Sequence, residues 1–319
     1  MLLLDCLSFI GSKTLIILPL GIVIPLLTPN LDFHPQNVIT LLIVLIYSSA
    51  FVRLNLKEIL LSALRPARLA FNLLLSLFIL IFIPCCIFYC ASFFGLDNSI
   101  KTVLLWYAVA PPIASTVWMC LLLGFKPALA MELVIITSLI SPFSGPFIAY
   151  FLLDTHMLVS PIGLFSRLAV MICGGILVAI IGQKIIGRKN IETHSSIFDG
   201  ISAIAMVCFL IPVFNGMSIK FLANPNLALQ LFMLALTLNF GCQSILLVVA
   251  SMFRTSNTKD GFRVMAVITG NRNVGLYYAA LPPDPVMVLF TAVYQIPLYF
   301  TPLFLNFLNK FRNSYFSFF

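Results

Sequence analysis

Residues 263–281 read RVMAVITGNRNVGLYYAAL, an apolar run of membrane-spanning length whose centre is Thr269-Gly270-Asn271-Arg272-Asn273. A helix needs about 20 apolar residues to cross a bilayer core. One that faced lipid would carry Leu and Val where this one carries a glycine, two amides and a guanidinium. Unpaired backbone at membrane depth is tolerated only inside protein or beside a water-filled cavity. A mid-membrane arginine costs several kcal/mol and marks a functional position. The segment therefore predicts a broken helix buried in a bundle, with a polar site at the break.

The composition supports the membrane that this reading needs. Of 319 residues, 61% are hydrophobic and 9% charged, against roughly 25% charged in soluble domains. Ten acids and eighteen bases cannot coat a soluble surface. A soluble enzyme, a disordered chain and a nucleic-acid-binding domain are excluded, and the bilayer becomes the chain's principal surroundings. The opening MLLLDCLSFIGSK has no basic n-region and reads as mature sequence. Eight cysteines lie in apolar runs without metal spacing, and His34, His156 and His194 are scattered through loops. No Walker motif, paired catalytic acids or nucleophile–base pattern is present, so neither catalysis nor a bound cofactor is expected.

Working outward, charges and Pro/Gly/Asn clusters divide the chain into ten spans, near residues 14–29, 38–53, 69–94, 102–124, 128–153, 164–185, 198–217, 226–252, 261–281 and 285–308. Pro19 and Pro25 predict a kink in the first. With the N-terminus inside, fourteen lysines and arginines fall in cytoplasmic segments and two, Lys101 and Lys220, outside. That is the asymmetry expected of cytoplasmic loops, and it puts both termini in the cytoplasm. The two remaining bases lie within spans. Arg167 reads as a snorkelling anchor, and Arg272 is at the break.

Ten spans divide into five and five, and an odd number per half predicts inverted repeats, residues 1–156 and 157–319. Pro127 and Pro283, and Pro146 and Pro302, are 156 residues apart. The fourth span, WYAVAPPIASTVWMCLLLG (106–124), holds the second interruption: Pro111 and Pro112 remove two donors in mid-span, and Ala114, Ser115 and Thr116 follow. Paired interrupted segments in two halves point to a transporter's binding site. Glu132, one turn into the fifth span, is an interfacial acid, a partner for Arg272 or a protonatable coupling group.

The runs PPIASTV (111–117), GFKPALAMELVIITSLISPFSGP (124–146) and VITGNRNVGLYYAAL (267–281) resemble the fourth, fifth and ninth helices of the bile acid:sodium symporter family. With the ten-span plan, the resemblance covers most of the chain. It implies an all-α membrane fold with a six-helix core domain and a four-helix panel domain. Helices four and nine are unwound and cross in the core, substrate binds in the crevice between domains, and sodium lies near the crossing. Residue by residue, the family's sodium-ligating glutamate falls on Ile268 and its glutamine on Arg272. The serine-asparagine pair falls on Ser115 and Thr116, two helix-five hydroxyls on Ala130 and Val134, and a helix-three glutamine on Ile79. The helix-nine asparagine is kept as Asn273. Most side-chain oxygens for sodium are gone, and a guanidinium repels a nearby cation.

The expectation is a ten-helix secondary transporter of the bacterial inner membrane. It moves a small organic anion by alternating access, works as a monomer and has no nucleic-acid partner. Ser115, Thr116, Thr269, Gly270, Asn271, Arg272, Asn273 and Glu132 form its substrate or ion site. Arg272 stands in for the bound cation through Ser115, Thr116 and unwound carbonyls. The alternatives are an auxin-efflux-type or proton-coupled carrier, and a non-transporting intramembrane enzyme or assembly factor.

Overall fold

The computed structural model describes residues 2–27, 35–55, 59, 61–62, 65–153 and 159–315. Lys57, His34, His156 and the division between residues 156 and 157 lie outside the described residues. The described residues are helical, with a single isolated bridge and no strand.

Proline opens six of the helices: α4 (Pro35–Phe51), α5 (Pro66–Phe93), α8 (Pro127–Leu152), α9 (Pro161–Ile186), α13 (Pro225–Met252) and α16 (Pro285–Tyr315). At the first helical position the missing N–H costs nothing and the fixed φ is already helical. Between these lie α6 (Asn98–Val109), α7 (Thr116–Leu122), α10 (Arg188–Thr193), α11 (Ser195–Phe214), α12 (Met217–Ala223), α14 (Ser256–Gly270) and α15 (Val274–Ala280). Six helices among the described residues are long and apolar enough to cross a membrane, seven if one bent pair counts as a span. The architecture is that of an all-α, multi-pass membrane protein.

The N-terminal region differs from expectation. Residues read as a tail before the first span form α1 (Leu2–Ser12), followed by α2 (Thr14–Gly21) and α3 (Val23–Leu27). The sharp turn, 102°, falls between α1 and α2, before either proline. Helix α1 lies along α11 because both present small residues. Gly11 and Gly200 approach so closely that a Cβ on either would come within 2.0 Å of backbone oxygen on the other helix, and Ser8 and Ser196 hydrogen-bond at 2.8 Å. Small residues let helix backbones meet where lipid offers no hydrophobic drive.

Helices α1, α4, α9 and α11 pack on one another. Ser49–Ser202 and the Gln183 amide, which donates to the Val52 and Leu54 carbonyls, tie them together. A second group packs around α8, α13, α14 and α16. In it α5 and α13 share one build. Each is 28 residues long and opens on proline. Each carries a π turn, Phe78–Phe82 in α5 and Thr237–Gly241 in α13. Start, π turn and end of the two are all separated by 159 residues.

Candidate functional site

Helix α6 stops at Val109 because Pro111 and Pro112 supply no N–H to the preceding turn, and the chain resumes as helix only at Thr116. Helix α14 stops at Gly270 and resumes at Val274. The two breaks meet. Pro112 and Arg272 form an antiparallel bridge: Ile113 N donates to Asn271 O at 3.0 Å and Asn273 N to Pro111 O at 2.7 Å. Two unwound segments thus satisfy each other's backbone where water is excluded. Gly270 permits the approach of a third element, since a Cβ there would stand 2.5 Å from the Asn239 carbonyl oxygen.

Arg272 is fully buried. Its Nε donates to Thr269 O (3.2 Å), Nη1 to Ala110 O (3.0 Å) and Nη2 to Ile79 O (3.1 Å). The first two oxygens belong to the C-terminal ends of α14 and α6, where carbonyls lack intrahelical partners and the helix dipole is negative. The third is freed by local sequence. In the π turn Ile83 N bonds Phe78 O, and the next residue, Pro84, has no N–H for Ile79 O. Among the described residues no carboxylate pairs with Arg272. Three charge-assisted bonds at about 1.5–3 kcal/mol each are the right size to offset a desolvation cost of several kcal/mol.

Three further donors complete the crossing. Tyr294 accepts from Arg272 N (2.8 Å) and donates to Gly270 O (2.8 Å). Tyr107 donates to Thr269 O at 3.1 Å, with Leu238 O at 3.3 Å as the alternative acceptor. Asn239 Nδ2 donates to Gly270 O at 2.6 Å, while its Oδ1 accepts from Thr301 and Gln243. Asn271 closes the last turn of α14 by donating to Val267 O, and Thr269 bonds back to Met265 O.

Beside the crossing is a cavity of about 590 Å³, lined from both helix groups. Its walls include Leu18, Ile43, Trp118, Met206, Phe209 and Leu298, and its polar positions include Tyr47, Ser115, Arg272, Asn273, Gln295 and the Arg53–Asp199 ion pair. The Ser115 and Tyr47 hydroxyls and Arg53 Nε have no hydrogen-bond partner. Tyr47 stands next to Asn273 and Ser138 without the geometry of a bond.

Several expected roles are corrected. Arg272 does not bond the side chains of Ser115 or Thr116. Ser115 is unpartnered, and Thr116 Oγ1 turns back to Ile113 O at 2.6 Å, so neutral carbonyls hold the guanidinium instead. Glu132 is not its partner either. That carboxylate is buried one turn into α8 and accepts from Arg68 (3.1 Å), Ser62 (3.0 Å) and Asn72 (2.8 Å), so its charge is already balanced. Arg167 is no simple anchor. It donates to Ala280 O at 2.8 Å, closing the C-terminal end of α15.

The resemblance implies sodium here, and the residues present do not fit it. The carbonyls of Ala110, Ile79, Thr269 and Gly270 already accept from Arg272, Tyr107, Tyr294 and Asn239. Of the positions where the resemblance places side-chain ligands, Ile268, Arg272, Ala130, Val134 and Ile79 carry no side-chain oxygen, and only Ser115, Thr116 and Asn273 keep one. Sequence reading missed Tyr47, Tyr107 and Tyr294, which pass for packing among so many aromatics. It also missed Asn239 and Gln243, although two amides at i,i+4 in an apolar span were a usable signal. No family model matches the chain, and no curated protein matches it.

Proposed function

We propose that the chain is a ten-helix secondary transporter of the bacterial inner membrane that moves a small organic anion by alternating access, in the manner of the bile acid:sodium symporters it resembles. The observation that carries this reading is the Pro112–Arg272 bridge between two broken helices, set against a cavity lined by both helix groups. A rigid crossing on one side and a smooth bundle on the other suit a rocking motion about a shared site. On this reading α1–α4, α9 and α11 are the panel, and the group around the crossing is the core. Both termini are cytoplasmic and the working unit is a monomer.

Two inverted halves are supported by the 159-residue register of α5 and α13, by Pro112 bridging Arg272 160 residues on, and by Pro127 and Pro285, each opening a helix. Pro285, 158 residues after Pro127, is within one residue of that register and takes the place of Pro283. An anion suits the cavity because Arg53 and Asp199 neutralise each other, leaving the charge of Arg272 beneath apolar walls.

The test is a thermal-shift screen of amphipathic carboxylates and sulfonates on purified protein, followed by counterflow in proteoliposomes. A compound that raises the unfolding midpoint should also exchange across the membrane. Compounds that bind but never counterflow would overturn transport and favour a non-transporting pocket.

A further inference from the structure

This inference rests on the transport reading and concerns what couples it. The crossing assembles what a monovalent cation would seek. The oxygens of Ala110 and Thr269 stand at the negative ends of two half-helices, and Ile79 adds a carbonyl that Pro84 leaves without a donor. All three face one guanidinium. The position 159 residues after Ile79 is Leu238, whose carbonyl lies 3.3 Å from the Tyr107 hydroxyl. Gly270 O accepts from Asn239 and Tyr294. The Ala110, Ile79 and Thr269 carbonyls are therefore filled by the guanidinium, and Gly270 O by Asn239 and Tyr294, all donors of the chain itself. Glu132, the buried acid, is engaged by Arg68, Ser62 and Asn72 and does not compete.

We propose that the crossing is a carbonyl cation site whose cation is resident: Arg272 occupies it covalently, so the broken helices are assembled without any dissolved ion and no sodium gradient drives this carrier. The physical consequence is a missing linkage. Where an ion assembles a site, ion and substrate raise each other's affinity by the same factor. A tethered charge is present in every state and contributes nothing that depends on concentration. Reorientation then follows the anion alone, as exchange or uniport.

The test uses sodium and guanidinium ions as probes on purified, full-length protein, so it stands apart from the counterflow assay. A failure of transport with an ion-insensitive melt would remove the function and leave the site. The wild-type unfolding midpoint should be the same in sodium chloride and in choline chloride at equal ionic strength. Arg272→Gly should lower the midpoint by several degrees, and low-millimolar guanidinium, which fits the emptied cradle, should restore most of the loss while choline restores none. Arg272→Lys should fall between, since it keeps the charge with fewer directed donors. A sodium-dependent rise of the wild-type midpoint would overturn the proposal, and that measurement stands even if the glycine variant does not fold. Equal response of Arg272→Gly to guanidinium and choline would overturn it as well.

Discussion

The two breaks occupy corresponding places and are made by opposite means. At residues 110–115 the helix ends because prolines withhold donors, and the segment offers oxygen: Ala110 and Pro111 accept, while the Ser115 hydroxyl makes no bond. At 271–273 the helix ends in residues rich in donors, and Arg272, Asn271 and the Asn273 N–H give to acceptors on three elements. The backbone bridge runs both ways, Ile113 N to Asn271 O and Asn273 N to Pro111 O, but the guanidinium makes the second break a side-chain donor and the first its acceptor. Two breaks that each carried a guanidinium would bring like charges together at membrane depth, and two proline breaks would leave the helix-end carbonyls without a side-chain donor. The asymmetry between halves of a shared plan is therefore what makes the crossing stable.

The strongest way to break the comparison is to remove the donor. Arg272→Leu should destabilise the protein by about 2–6 kcal/mol, since the buried Ala110 and Ile79 carbonyls lose their donor at about 1–3 kcal/mol each. Denaturation in mild detergent would measure it, and a loss below ~1 kcal/mol would mean the carbonyls relax elsewhere. Next is the tight approach. Gly270→Ala drives a Cβ into the Asn239 carbonyl and should cost about 1–3 kcal/mol. Ala110, 160 residues earlier, already carries a methyl group, so Ala110→Gly should cost only about 1 kcal/mol or less. Equal effects at both sites would erase the asymmetry.

Ser115→Ala sharpens the comparison from the acceptor side. With no bond to lose, stability should change by about 0.5 kcal/mol or less, while the affinity for a transported anion falls if the hydroxyl faces substrate in the cavity. Uptake kinetics would show the change in KM. The smallest effect lies outside the crossing. Lys126 and Asp260 (2.9 Å) join the start of α8 to the start of α14, just outside the ninth span. Partial burial pushes the Asp260 carboxyl up, but the Lys126 hydrogen bond and charge, with Ser256 and Arg263, hold it below the ordinary value of 3.8. A depressed folded pKa stabilises above the unfolded value, and the benefit is lost as pH falls through the folded one. The pair's contribution should therefore start to fade below about pH 4. It should stay within about 1 kcal/mol because Lys126 is half exposed. Asp260→Asn should remove that acid limb from a melt-versus-pH curve.

What could be read from the chain alone was whatever depends on neighbours in sequence. Apolar runs, the prolines at 111 and 112 and the polar TGNRN centre announced a membrane bundle with two broken helices, because backbone satisfaction in lipid is a local demand. Helix α1 escaped that reading. Its pairing with α11 depends on Gly11 meeting Gly200, which are far apart in the chain. The partners of Arg272 escaped it too. A guanidinium at membrane depth must find acceptors, but nothing local says whether they are Glu132, two hydroxyls or carbonyls. Only the packed structure brings Ile79, Ala110 and Thr269 onto one side chain. It also commits Glu132 to Arg68 and aims the hydroxyls of Tyr107 and Tyr294 at unwound backbone. The physical reason is that carbonyl oxygen is present at every residue, so its availability is set by which helix ends where and by what lies across the crossing.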